Sequence, residues 1–188
     1  MPRTMAESAT KLTYADYLQF PDDGNRHELI DGEHFVTPSP NLRHQRILRN
    51  LFRVLDTFVD AQRVGQVYFA PLDVILSDVD VVEPDLLFIG NERLEQLDNY
   101  VKGPPDLAVE ILSPSTHRKD EVRKRDLFER AAVPEYWIVD PDPETVKVYR
   151  RVGDVFSRPE LLSRRDGDVL RSPLFPGLEI PLATIFAP

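Results

Sequence analysis

The order of hydrophobic and polar positions predicts a chain in which helices alternate with strands. Residues 42–60 carry apolar side chains at the i, i+3, i+4, i+7 spacing of an amphipathic helix. Residues 116–131 are strongly charged, keep one apolar side and end before a proline, which predicts a second helix. Apolar runs over 66–76, 81–89 and 106–112 predict strands between and beside these helices.

Shorter signals predict the elements at both ends. Thr13 and Asp16 have the spacing of a capping box at the start of a short helix. Asp31-Gly32 lies between two extended runs within residues 27–36, a hairpin signal. We also expect a weak helix over 91–99, strands over 136–139 and 145–150, and a small antiparallel extension over 154–188. Together these elements predict a mixed α/β or α+β fold, with antiparallel pieces at both ends of a central sheet.

The composition is that of an ordinary globular protein. The 188 residues are 41% hydrophobic and 29% charged, and no apolar run approaches the length of a membrane span. The first residues are polar and lack the apolar segment of a secretory signal, so we expect a cytoplasmic protein. We expect a flexible tail over residues 1–11 and a single domain over residues 12–188.

Charge and cysteine content narrow the chemistry. A net charge of −9 argues against a generic basic nucleic-acid coat, although a local basic face remains compatible with it. The absence of cysteine excludes disulfides, thiolate nucleophiles and cysteine-based zinc sites. A metal site would have to use mainly carboxylates, which favour magnesium or manganese.

Two acidic residues lie in or beside apolar strands. Glu110 is inside the apolar run 107–112, where an ionised carboxylate is costly unless it is paired or binds a metal. Asp85 stands at the start of an earlier apolar run, which continues over residues 86–89. Two carboxylates on adjacent strands could hold a divalent metal ion. The alternatives are a Glu110 that pairs with an arginine or lies on an exposed strand face, and an Asp85 that serves only a turn.

Lys124 is a third candidate. It lies four residues after Asp120, on the same face of the charged helix. The alternative is a solvated face on which Lys124 pairs with the acidic residues of its own helix.

Six short runs occur in order along the chain. They are Glu28–Glu33, His44-Gln45, Val82–Leu86, Pro105–Thr116, Asp120 with Lys124, and Pro134–Pro141. Together they resemble the Uma-two family of bacterial restriction-endonuclease-like proteins, within the PD-(D/E)xK nuclease superfamily, over roughly residues 12–185. The resemblance implies a restriction-endonuclease-like fold, with a mixed central sheet flanked by helices. It also implies Mg- or Mn-dependent hydrolysis of DNA, and it is compatible with a homodimer.

The resemblance assigns roles to single residues. Asp85 and Glu110 match the two metal-binding acids, and Glu28 matches a further acid that could be an extra ligand. Leu112 occupies the position where many superfamily members carry a lysine, and Lys124 on the following helix matches the displaced lysine.

Further residues match more loosely. Asp120 would orient Lys124. His44 and Gln45 match a family pair, and His44 would contact a phosphate or a metal-bound water unless it is a structural or capping residue. Phe128 and Ala132 replace the usual tyrosine and glycine, but neither change removes a metal ligand.

Basic and polar side chains on the two long helices could contact the phosphate backbone of DNA. These candidates are Arg43, Gln45, Arg46, Arg118, Lys119 and Arg123. The alternative is that both helix faces are merely solvated.

Three functions therefore remain open at the level of sequence. The first is a magnesium-dependent DNA endonuclease. The second is a catalytically silent nucleic-acid-binding or interaction protein on a nuclease fold. The third is a hydrolase of another phosphate ester.

Overall fold

A computed structural model describes residues 10–94, 97, 100–113 and 119–188, apart from the side chains of Lys119 and Asp120. Within these residues, no helix has the length and apolar character needed to cross a membrane. Most of the predicted tail lies outside the described residues. Its last residue, Lys11, forms an ion pair with Asp31 of the first hairpin.

The described residues form helices and strands in alternation. The helices are α1 (Tyr14–Tyr17), α2 (Leu42–Gln62), α3 (Asn91–Leu94), α4 (Lys119–Arg130) and α5 (Leu182–Ile185). The first strands are β1 (Arg26–Ile30), β2 (Glu33–Thr37), β3 (Gly65–Phe69), β4 (Val74–Ser77), β5 (Asp80–Val82), β6 (Leu86–Gly90) and β7 (Val101–Lys102). The later strands are β8 (Leu107–Ile111), β9 (Glu135–Asp140), β10 (Thr145–Val152), β11 (Val155–Phe156), β12 (Glu160–Ser163), β13 (Val169–Leu170) and β14 (Ile180–Pro181).

Two main sheets organise the part of the chain that is described. The larger sheet has the order β11-β10-β9-β8-β6-β3, with β12 also paired to β10. Strands β8 and β9 run parallel, and their neighbours are antiparallel. The second sheet has the order β2-β1-β5-β4-β7. This mixed sheet structure with flanking helices confirms the predicted α/β (α+β) class.

Two predicted strands are wrong in extent, because each divides into two strands of different sheets. The run 66–76 becomes β3 in the larger sheet and β4 in the second sheet. The run 81–89 becomes β5 in the second sheet and β6 in the larger one. Pro71 and Pro84 lie at the two breaks, where a residue without an N–H group cannot continue a central ladder.

The predicted helices form, with changed ends. The Asn41 side chain caps α2 by accepting a hydrogen bond from the His44 N–H, and α2 extends two residues beyond the predicted end. The capping box of Thr13 and Asp16 is present in α1. Helix α3 is described over Asn91–Leu94, and most of the remaining predicted 91–99 helix lies outside the described residues, as does the beginning of the predicted 116–131 helix.

Strand alternation separates two cores on the faces of the larger sheet. Leu107, Val109 and Ile111 of β8 join the core that packs against α2 and the C-terminal residues. Ala108 joins the other core, which includes residues of α4. Since side chains along a strand alternate between faces, Glu110 lies on the face of Ala108 and points towards α4.

The C-terminal segment confirms the predicted antiparallel extension. Strands β11 and β12 pair with β10 of the larger sheet, whereas β13 and β14 form a two-stranded unit. The buried indole of Trp137 donates to Glu135, whose second oxygen accepts from Ser172. This bridge ties the C-terminal segment to the central sheet.

Candidate active site

Asp85 and Glu110 lie side by side on neighbouring strands. Leu86 of β6 is opposite Val109 of β8, so the next position of this antiparallel register sets Asp85 opposite Glu110. The Ile111 N–H donates to Asp85 Oδ2 over 2.8 Å, which fixes the carboxylate against β8. Both acids are buried, with exposed fractions of 2% and 8%. The structure thus places the two predicted acids together.

Asp85 is surrounded by groups that favour its ionised form. Arg26 Nη1 donates to Oδ1 over 2.8 Å, and His44 Nε2 lies 3.0 Å from Oδ2. Burial opposes ionisation, but His44, Arg26 and the Ile111 N–H outweigh it and lower the pKa of Asp85 to about 2. Asp85 is therefore a fixed negative charge at neutral pH.

Lys124 connects two other carboxylates. Its Nζ lies 2.9 Å from Glu28 Oε1, at the centre of β1, and 2.8 Å from Glu110 Oε1. Burial opposes the charged ammonium, but Glu110 and Glu28 raise the pKa of Lys124 above its ordinary value. Lys124 therefore carries its charge inside the site, and the predicted alternative of a solvated pairing along its own helix is not what the structure shows.

The site contains more negative charge than its cations balance. Burial, together with repulsion from Asp85 and Glu28, raises the pKa of Glu110 above its usual range in spite of Lys124. Glu83 donates its backbone N–H to Glu28 Oε1 over 2.9 Å. Burial and the nearby carboxylates of Asp73 and Glu28 raise the pKa of Glu83 to about 7. A further cation would relieve this repulsion.

The carboxylates suit a hard divalent ion, although they do not form a preassembled cage. Among the described residues, no group of three or more histidine, aspartate or glutamate side chains is arranged to hold a metal ion. Magnesium commonly uses one or two protein carboxylates and keeps several waters. Glu110 with Asp85 or Glu28 meets that smaller requirement, and the excess negative charge favours a cation there.

A pocket of about 240 Å³ gives access to these groups. One part of its lining is charged and includes Glu28, Asp85 and Lys124. Phe35 and Leu112 belong to its apolar lining. A charged substrate group can therefore approach the carboxylates and the lysine from this side.

His44 is not the capping residue of α2, because Asn41 caps that helix. The His44 backbone N–H donates a hydrogen bond to the Asn41 side chain, while its buried ring contacts Asp85 through Nε2. Among the residues that the structure describes, the ring Nδ1 has no hydrogen-bond partner. Arg26 was not among the residues predicted from the sequence. Strand alternation offers a signal for it, since Arg26 lies two residues before Glu28 and shares its strand face.

The predicted nucleic-acid-binding residues differ from one another in their exposure and in their ion pairs. On α2, Gln45 is exposed, and Arg43 lies 3.3 Å from Asp142. Arg46 is half-buried and has no ion pair among the described residues. On α4, Arg123 lies 2.8 Å from Glu33 and above the Phe35 ring.

Three predicted residues cannot be placed in this way. Arg118 lies outside the described residues, and so do the side chains of Lys119 and Asp120. The expected orientation of Lys124 by Asp120 therefore stays a prediction.

Comparisons with known proteins identify the family and support the fold. The sequence model of the Uma2 (Uma-two) family, described as "Putative restriction endonuclease", matches residues 14–183. The structure is similar to the crystal structure of "a putative nuclease belonging to DUF820" from Anabaena variabilis, with a TM-score of 0.82 and 22% sequence identity. That similarity covers 94% of this chain and 98% of the other. A comparison with curated proteins finds no match. Because the family model spans nearly the whole chain, this protein belongs to the Uma2 family.

Proposed function

We propose that this protein is a metal-dependent endonuclease that hydrolyses phosphodiester bonds in DNA. The observation that carries the proposal is the convergence of Glu28, Glu110 and Lys124 beside Asp85, at the side of an accessible pocket. Buried charged groups are costly, and their concentration in a pocket is typical of a functional site. Membership of a family described as "Putative restriction endonuclease" favours DNA as the substrate.

The carboxylates of Asp85, Glu110 and Glu28 would hold magnesium or manganese. When bound, such an ion supplies a water of lowered pKa and neutralises charge on the phosphoryl oxygens. His44 and Arg26 keep Asp85 ionised and hold it in place. Lys124 supplies a positive charge for the phosphoryl group, where charge develops during hydrolysis.

The DNA backbone would lie along the first turns of α2. His44 lines the pocket, and Arg43, Gln45 and Arg46 belong to the same helical segment. Arginine side chains at these positions can bind phosphates on either side of the bond to be cleaved. Arg123 can join them only if it exchanges Glu33 for a phosphate.

The test is cleavage of supercoiled plasmid in magnesium and in manganese. The wild type is compared with Asp85→Asn and Lys124→Ala, and with Asp154→Asn as a matched control on an exposed hairpin. We expect nicking by the wild type and by the control, and a loss of at least about 100-fold in the other two variants. Failure of the folded wild type to cleave with either metal would contradict the proposal, and an active Asp85→Asn variant would contradict the site.

The same proteins also test the alternative of nucleic-acid binding without catalysis. A gel-shift assay in EDTA reports DNA binding separately from cleavage. Binding without cleavage in either metal would favour a silent nucleic-acid-binding protein. Turnover of small phosphodiesters alone would favour a hydrolase with another substrate.

A further inference from the structure

Lys124 is the cation of a buried carboxylate pair. Its Nζ is within 3 Å of one oxygen of Glu28 and one oxygen of Glu110. The two acids come from different sheets, β1 and β8, and the lysine comes from α4. The side chain of Lys124 is 12% exposed, so water contributes little to its solvation. The ammonium therefore joins three separate elements at one point.

One ammonium does not satisfy this pair completely. The neighbouring Asp85 takes the hydrogen bonds of the Arg26 and His44 side chains. The Glu83 carboxylate adds further negative potential near Glu28. A carboxylate pair in such surroundings binds a doubly charged cation more strongly than a singly charged one, because attraction grows with the charge.

We propose that Lys124 and a divalent cation compete for the Glu28–Glu110 pair, so that cation binding releases the lysine from it. This inference rests on the proposed function and links the metal site to the position of the lysine. Both cations use carboxylate oxygens, and two positive centres about 4 Å apart repel each other strongly in a protein interior. The four-carbon stem of lysine is flexible and allows the ammonium to move away. The released ammonium would lie in the pocket, available to a substrate phosphate.

The first test measures manganese affinity by isothermal titration calorimetry. The full-length wild type is compared with Lys124→Gln and with the control Lys102→Gln, which removes an exposed lysine from β7. We expect Lys124→Gln to bind manganese about tenfold or more tightly than the wild type, because a nearby positive charge is removed. The control should bind like the wild type.

The outcomes separate this inference from the proposed function. Equal or weaker binding by folded Lys124→Gln, with normal binding by the wild type, would overturn the competition and leave metal dependence intact. An absence of manganese binding in the wild type and in the folded variant would overturn both.

A second test avoids substitution, in case Lys124→Gln does not fold. The wild type is treated with a limiting lysine-methylating reagent in EDTA or in saturating manganese, and each lysine is quantified by mass spectrometry. Lys11, Lys102 and Lys147 serve as internal references. We expect several-fold faster methylation of Lys124 with manganese and little change in the references. An unchanged or slower rate at Lys124 would overturn the proposal.

Discussion

At the scale of single residues, the site is a set of buried acids whose ionisation differs because their partners differ. Asp85 accepts hydrogen bonds from Arg26, His44 and a backbone N–H, and its pKa is lowered to about 2. Glu83 has a buried carboxyl oxygen that finds no hydrogen-bond partner in the described part of the chain, and its pKa is raised to about 7. A buried carboxyl group can thus be a permanent charge or a titrating group, depending on the donors that surround it.

Glu83 should lower the stability of the protein as the pH rises. Its pKa increases from 4.5 in the unfolded chain to about 7 in the fold, so the folded state holds more protons between these values. Stability is therefore greatest below pH 4.5 for this group and falls as the pH rises to about 7. The full shift corresponds to about 3 kcal/mol, and partial solvent contact reduces the expected effect to about 1–2 kcal/mol.

Urea unfolding of the wild type and Glu83→Gln in EDTA measures this effect. We expect the variant to be more stable than the wild type at pH 8 and equally stable near pH 4.5. A difference that is independent of pH would show that the substitution acts through packing instead.

At the scale of elements, five elements bring the site together. Antiparallel β6 and β8 set Asp85 beside Glu110, β1 brings Arg26 and Glu28 on one strand face, and α4 provides Lys124. Helix α2 adds His44 from its first turn. Each side chain owes its direction to the regular geometry of its element, so a change in the ends or the spacing of an element should affect the site.

The cap of α2 is one such end. Asn41→Ala removes the acceptor for the His44 N–H, and we expect a loss of about 1 kcal/mol in the free energy of unfolding. Asn41→Asp keeps an acceptor at the same place and should retain most of the stability. Urea unfolding of the three proteins checks the expectation. It would be wrong if the aspartate variant lost as much stability as the alanine variant.

The close approach of β3 and β6 is a second sensitive point. A Cβ at Gly65 would lie 2.2 Å from the Ile89 carbonyl oxygen and 2.6 Å from the Phe88 ring, so the strands would have to move apart. We expect Gly65→Ala to lower the free energy of unfolding by about 1–3 kcal/mol. Gly90→Ala, directly opposite, is the matched control, because its Cβ would first meet the Asp106 side chain at 3.3 Å. Similar melting temperatures for the two variants would contradict the steric explanation.

At the scale of the whole molecule, the proposed function requires an acidic protein to bind an acidic polymer. The net charge of −9 opposes DNA binding, so affinity must come from a local basic surface. Arg46 at the start of α2 is suited to this role, because it has no ion pair among the described residues. Arg43 and Arg123 would first have to leave their carboxylate partners.

The salt dependence of DNA binding tests whether Arg46 contacts the DNA backbone. In EDTA, affinity for a duplex should fall steeply between about 50 and 200 mM salt as counterions are released. Arg46→Gln should reduce the slope of log affinity against log salt by about one. Arg171→Gln, which removes an arginine paired with Glu179, should leave the slope unchanged. Equal slopes for the wild type and both variants would place the DNA elsewhere.

The sequence by itself determined the features that depend on local pattern. The period of α2 followed from its apolar positions, and the buried strand around Glu110 followed from the apolar residues on both sides of it. The ordered family motifs pointed to Asp85, Glu110, Lys124 and Glu28, which the structure brings to one place. These predictions succeeded because side-chain periodicity and short motifs are encoded within a few neighbouring residues.

Only the tertiary structure decided which distant residues meet. It divided the runs 66–76 and 81–89 between two sheets, because strand pairing depends on burial by segments far away in the chain. It also turned Lys124 away from the acids of its own helix and towards Glu28, 96 positions earlier, and added Arg26 to Asp85. A buried charge takes its partner from whatever the fold places around it, and local sequence does not specify that neighbour.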